Sequence, residues 1–214
     1  EDIAIDDGHN FELQRGIDSF EISQNIDMCP VGDGSDSVRV CDIKCLQYNV
    51  CSLGTCGSRK YLHEGFEKLK FHVAFVQEGR YPKNRIMKQG NTLMCISSQL
   101  PGGSHGCEVW VSLSQPFATV CDRKKYVSRE NVSIVFSSHR CIIVKVISKF
   151  INFIAISAHA PYLGCKVDNA EAWWKGFVKE VACVCAKDHR SPVICGIDGN
   201  VANFASGSDF LGTL

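Results

Sequence analysis

Five residues combine reactive chemistry with a recurring position: Asn49, Glu78, His159, Asp198 and Asn200. Each stands at or just past the end of an apolar run. The last run, Val193-Ile194-Cys195-Gly196-Ile197-Asp198-Gly199-Asn200, is the clearest case. Buried strands that end in this way deliver polar groups to a sheet edge. Glu78 is a hard oxygen donor suited to magnesium or manganese, ions that take few carboxylates and keep several waters. Asn49 could orient that carboxylate or a metal-bound water. Asp198 could position or deprotonate an attacking water, and the Asn200 amide could donate to an oxygen that gains charge as a bond breaks. His159 titrates near neutrality and could serve a leaving oxygen. Together these groups suit metal-assisted hydrolysis of a phosphate ester. Taken singly, each has a plainer reading: Asp-Gly-Asn is ordinary turn chemistry, Glu78 a surface carboxylate, Asn49 a strand end, and His159 a packed loop residue.

The elements that must position them follow from periodicity. Residues 38–50 read as one strand ending at Asn49, and Val73 to Glu78 as a second buried strand. Between them, Lys60 to Lys70 carries Leu62, Phe66 and Leu69 at helical spacing. Residues 79–105 read as loop with one strand, Thr92 to Ile96. Four further strand runs follow, over 107–113, 131–136, 141–147 and 152–157, the last two joined by a hairpin at Ser148-Lys149-Phe150. Glu171 to Cys185 places Trp174, Phe177, Val178, Val181 and Val184 on one helical face. The expected fold is α+β, a mixed sheet or sandwich covered by helices, with the four polar strand ends on one rim.

At 214 residues the chain holds one substantial domain, and 21% charged against 45% hydrophobic residues describes an ordinary globular protein. The 23 basic and 23 acidic residues cancel, so any nucleic-acid contact needs a local basic patch. The thirteen cysteines are odd in number, and Cys95, Cys107, Cys141, Cys183, Cys185 and Cys195 lie within apolar runs. They read as reduced, buried thiols in a reducing compartment, without the paired spacing of a zinc site. Residues 1–37 read as a flexible acidic leader, and residues 38–214 as the folded domain. The sequence shows neither a secretory signal nor a run long enough to span a bilayer, so no membrane association is expected. It starts without Met, as a fragment would.

Four motifs in order carry a resemblance: Gln47-Tyr48-Asn49-Val50-Cys51-Ser52-Leu53, Val76-Gln77-Glu78-Gly79-Arg80, Ala158-His159-Ala160-Pro161 and Gly196-Ile197-Asp198-Gly199-Asn200. The chain resembles the endonuclease/exonuclease/phosphatase superfamily over residues 38–205. The wording around His159, Trp173-Trp174 and the last motif is most similar to endonuclease domains of non-LTR retrotransposons. The resemblance implies a four-layer α/β/β/α sandwich and a Mg2+ (or Mn2+) cofactor. It implies metal-site roles for Asn49 and Glu78, and catalytic roles for His159, Asp198 and Asn200. It also implies DNA as the partner, nicked to leave 3′-hydroxyl and 5′-phosphate ends, and with it an intracellular, nuclear location. No stable protein partner is expected. Arg80, Lys83, Arg85, Arg123 and Lys124, in stretches 79–90 and 121–130, are the expected backbone contacts, against a plain solvated basic surface.

Two departures stand out. The family reads Gly-Asp at its last motif, whereas Ile197 separates Gly196 from Asp198 here. The family also closes with a Ser-Asp-His element, and Ser208-Asp209-Phe210 offers only its first two letters, too soon after Asp198. The chain therefore reads as a domain whose last strands are missing. The competing expectations are a phosphomonoesterase acting on inositol phosphates or lipids, and an inactive remnant.

Overall fold

The computed structural model describes residues 38–53, 57–161 and 167–200. The expected leader and Ser208-Asp209-Phe210 lie outside the described residues. In chain order the elements are β1 (Val38–Val40), β2 (Cys45–Asn49), α1 (Ser58–Lys68), β3 (Val73–Gln77), β4 (Arg85–Gln89) and β5 (Thr92–Ile96). There follow β6 (Cys107–Ser112), β7 (Ala118–Val120), β8 (Arg123–Lys125), β9 (Val132–Ser138), β10 (Cys141–Ile147), β11 (Asn152–His159), α2 (Val167–Ala186) and β12 (Val193–Asp198).

The fold is α+β, with two mixed sheets packed face to face. One has the order β2-β3-β6-β5-β4 and the other β12-β11-β10-β9. Pairs β2·β3 and β11·β12 are parallel, and every other pair in these two sheets is antiparallel. Strict alternation along the strands sorts the side chains into three layers of core. Val73, Phe75, Leu93, Cys95, Val109 and Val111 meet Ile142, Val144, Val146, Phe153 and Ala155 between the sheets. Their neighbours Ala74, Val76, Met94, Ile96 and Trp110 face the other way, onto Phe66 of α1. Ile143, Ile154, Ile156 and Ala158 likewise turn outward, onto Phe177 of α2. The order helix, sheet, sheet, helix is the expected sandwich.

Several local expectations need correction. Residues 38–50 form two strands in different sheets: β1 pairs with β7, and the chain then bends so that β2 pairs with β3. The stretch from 79 to 105 contains an unexpected strand, β4, joined to β5 across Gly90 and Asn91, with Gly90 at φ 54°. β4 lies at a sheet edge with Arg85 and Lys88 exposed and Ile86, Met87 and Gln89 only half-buried, so it lacks a buried apolar run. The stretch from 121 to 130 contains β8, paired with β7 through a tight turn in which Cys121 and Asp122 have φ of 48° and 58°. Left-handed geometry at both central residues is the favoured two-residue hairpin. Leu69, one residue past α1, is exposed, and His63 is buried in its stead. Val178 points outward, while Trp173 joins Trp174 and Phe177 against the sheet.

The cysteine expectation holds in part. Cys95, Cys107 and Cys141 are buried and free, and burial pushes Cys95 and Cys141 up to about 12 and Cys107 well above the ordinary thiol value. Cys183 and Cys195 are exposed and Cys185 is half-buried. Among the described residues β12 has a strand partner on one side only, which leaves Cys195 at an edge.

Candidate active site at the rim of the two sheets

Asn49 ends β2 opposite Gln77, the last residue of β3, and His159 ends β11 opposite Asp198, the last residue of β12. Two parallel pairs, one from each sheet, thus stop at the same rim.

The sheets are fastened together just beneath it. Gln77 Nε2 donates to Ser157 Oγ and to the Gly196 carbonyl, both at 3.1 Å, and Ser157 Oγ donates to the Val76 carbonyl at 3.0 Å. Gln47 Nε2 donates to the Ile197 carbonyl at 2.8 Å. A β-carbon on Gly196 would lie 2.3 Å from Phe75 Cβ, so only glycine lets the sheets approach this closely. Gly196 is fixed by Phe75, and β12 runs on two residues before delivering Asp198.

Above these bonds the carboxylates converge. Asn49 Nδ2 lies 2.6 Å from Asp198 Oδ2 and 3.2 Å from Glu78 Oε1 and donates to both, while its Oδ1 accepts from the Cys51 amide at 3.0 Å. Asn49 therefore orients both carboxylates across the sheet boundary. Glu78 Oε2 accepts from Arg80 Nη2 at 3.0 Å. Burial pushes the Glu78 carboxyl up, but the Arg80 and Asn49 hydrogen bonds and the fields of His159 and Arg80 outweigh it, leaving its pKa below the usual value.

His159 Nε2 is 3.6 Å from Glu78 Oε1 and 3.9 Å from Asp198 Oδ2. Both separations exceed a hydrogen bond. Burial lowers the His159 pKa, Asp198 and Glu78 oppose, Arg140 adds to the lowering, and the net direction is down. The imidazole is thus neutral at pH 7, and the two approaches are not ion pairs. Its Nδ1 is buried without a hydrogen-bond partner, as are Arg80 Nε and Gln77 Oε1. Among the described residues, the orphaned buried side-chain atoms gather at this rim.

Asn200 has φ 48°, a left-handed value that asparagine tolerates, and its amide N–H donates to Asp198 Oδ1 at 3.1 Å. Its Nδ2 donates to the Ala160 carbonyl at 2.8 Å, alongside Arg140 Nη1, which donates to the His159 and Ala160 carbonyls. Asn200 thereby ties the Asp198 turn to the segment after His159.

The basic residues divide. Arg80 is in the site, and Lys83 and Arg85 lie exposed on the segment that leaves it, Arg85 Nη1 donating to the Tyr81 hydroxyl. Arg123 and Lys124 are on β8, in the small sheet with order β1-β7-β8. His72, which precedes β3, faces the Pro116 carbonyl at 3.3 Å and packs against Phe117, the residue before β7. That sheet therefore sits at the opposite end of β3, and the fold does not bring Arg123 and Lys124 to the carboxylates.

Sequence reasoning missed His105 and His139. The His105 ring lies 5.4 Å from His159 edge-to-face and 5.7 Å from His139 stacked, and burial, Arg140 and both neighbouring histidines lower its pKa to about 4 against Glu78. Gln47 and Gln77 stood in the quoted motifs without a role; each shares a strand face with a core residue two positions back, and each bonds across the two sheets. Among the described residues no group of three or more His, Cys, Asp or Glu side chains is arranged to hold a metal.

No family model and no curated protein matches the chain. Among solved structures it is similar to the endonuclease domain of TRAS1, a telomere-specific non-LTR retrotransposon, at 12% identity and a TM-score of 0.48, over 74% of this chain and 59% of that one. It is also similar to an endonuclease/exonuclease/phosphatase family protein from Leptotrichia buccalis C-1013-b, at 12% identity and a TM-score of 0.35, over 58% and 56% respectively. The chain spans less than two thirds of either protein.

Proposed function

We propose that this chain is a metal-dependent phosphodiester hydrolase of the endonuclease/exonuclease/phosphatase superfamily, a DNA endonuclease domain of the retrotransposon type acting in the nucleus. The observation that carries this reading is the meeting of Asn49, Glu78, His159 and Asp198 at one rim, from both sheets, with two carboxylates bound to a single carboxamide.

The donor set fits a magnesium or manganese ion: such ions need one or two carboxylates, with waters and substrate phosphates completing the shell, and Glu78, oriented by Asn49, supplies the hard oxygen. Glu78, kept ionised by Arg80 and Asn49, would hold it. When bound, the ion supplies charge neutralisation at a phosphoryl oxygen. The chain's own groups do the rest. Asp198, fixed by Asn49 and the Asn200 amide, orients a water and accepts its proton. His159, neutral and with Nε2 facing Glu78 and Asp198 beyond bonding distance, hydrogen-bonds the reacting phosphate and moves a proton at that nitrogen. Arg80, Lys83 and Arg85 on the same rim hold the flanking backbone.

The test is nicking of supercoiled plasmid with Mg2+. Nicking should stop on chelation and fall at least ~100-fold in Glu78→Ala and in Asp198→Ala, each checked for an intact fold. Equal nicking by both variants sinks the proposal. Release of phosphate from an inositol phosphate without any nicking would move the chain to the phosphomonoesterase reading.

A further inference from the structure

We infer that the buried Arg59–Glu108 ion pair is a positioning device: it holds the Glu78-Gly79-Arg80 turn so that the Glu78 carboxylate and the Arg80 guanidinium face the rim. The catalytic consequence rests on the proposed function; the structural consequence does not.

Glu108 lies on β6 and is 0% exposed, on the same strand face as Trp110 and opposite the α1 layer. A carboxylate there is costly unless every lone pair is met. Arg59, in the first turn of α1, meets it as a fork, Nη1 to Oε2 at 2.5 Å and Nη2 to Oε1 at 2.7 Å, and Trp110 Nε1 donates to Oε2 at 2.7 Å. An apolar pair of similar volume would serve stability as well or better, so stability does not explain the choice.

What the pair touches does explain it. A β-carbon on Gly79 would fall 2.3 Å from Glu108 Oε1, so the carboxylate is the floor on which Gly79 rests. Glu78 and Arg80, on either side, have φ of 57° and 52°, a left-handed conformation that non-glycine residues hold only when their surroundings over-determine it. The roof is backbone: the Gly79 and Arg80 amides donate to the Gly106 and His105 carbonyls, each at 3.0 Å. The side wall is Arg59, whose guanidinium lies over the Tyr81 ring at 5.2 Å from its centroid. Arg59 also neutralises Glu108, so Arg80 is not drawn inward and remains on Glu78. Floor, roof and wall fix a strained turn, and removing the fork leaves it free to relax.

The test joins amide hydrogen exchange to kinetics. In Glu108→Gln, exchange at Gly79 and Arg80 should rise about tenfold or more while Val73 to Val76 of β3 stay protected. In plasmid nicking, kcat should fall about tenfold with KM within about twofold. The double variant Arg59→Met/Glu108→Leu restores an apolar core and should keep or raise Tm, yet show the same local exchange and the same kcat loss. Unchanged exchange at Gly79 and Arg80 in the double variant overturns the inference. So does a rise spread evenly over β3 and β6. A wild-type protein that fails to nick, with local exchange as expected, overturns the proposed function and leaves the positioning role standing.

Discussion

His72 and His159 lie toward opposite ends of β3, one just before it and the other against the residue that follows it. Both are buried, and burial lowers the pKa of both. They differ in what their nitrogens do. His72 Nδ1 accepts from the Lys44 amide at 3.0 Å, so its proton sits on Nε2, which faces the Pro116 carbonyl at 3.3 Å, and Phe117 packs against the ring. Every position is spoken for. His159 has an uncommitted Nδ1 and an Nε2 that faces two carboxylates beyond bonding distance. A committed imidazole cannot take or pass a proton without breaking structure; an uncommitted one can. Burial and residue type are common to both ends, so satisfaction of the ring nitrogens separates scaffold from candidate catalyst.

That contrast can be broken most directly by truncating both rings. His159→Ala should slow nicking by about 100-fold or more with little change in Tm. His72→Ala strands the Lys44 amide and the Pro116 carbonyl and should cost roughly 1–3 kcal/mol in denaturant unfolding, with activity per folded molecule unchanged. The reverse pattern would mean that nitrogen commitment does not mark function.

Acid titration sharpens the contrast next. His105 has a pKa of about 4 in the folded chain against an ordinary 6.5. Between those values the unfolded chain binds the proton that the folded chain refuses, so stability falls as pH drops from 6.5 toward 4. Glu78 is depressed, so its contribution is present above the ordinary carboxylate value and is lost at still lower pH. His105→Asn, which suits the φ of 66° there, should remove up to about one proton from the uptake on unfolding in that window. An unchanged pH slope from 6.5 to 4 would refute the burial-driven shift.

The smallest effect concerns the two ends as surfaces. Arg85→Ala or Lys83→Ala should each lower the slope of log affinity for duplex DNA against log salt by about 1, and Arg123→Ala or Lys124→Ala by about 0. Equal slopes would mean that DNA lies along the whole sandwich rather than across the rim.

How much of this was legible follows from the physics of each piece. The sandwich was readable because β3, β6, β10 and β11 are long apolar runs. The polar exits of β2, β3, β11 and β12 at Asn49, Glu78, His159 and Asp198 were readable because each closes an apolar run. β4 was not, because an edge strand bearing Arg85, Lys88 and Gln89 has no apolar signature, although Gly90-Asn91 before Thr92 is a hairpin signal. β8 was hidden in the same way behind Cys121-Asp122. The break between β1 and β2 depends on which distant strand each one pairs with. The Arg59–Glu108 fork was invisible because nothing local marks a glutamate in an apolar run as buried, and its partner is 49 residues away. The divergence of the two basic stretches needed the topology itself.

The contact between Gly196 and Phe75 has a consequence for how this sequence can drift. Any side chain at position 196 collides at its first carbon with the Phe75 Cβ, so a substitution there is open only to a chain in which position 75 has already become glycine. Loss at 75 alone leaves a cavity between the sheets, a cost that falls first and is then repaid. The two positions are therefore coupled in a fixed order of mutation. Where a descendant carries a larger residue at 196, its residue at 75 should be glycine, and the older change.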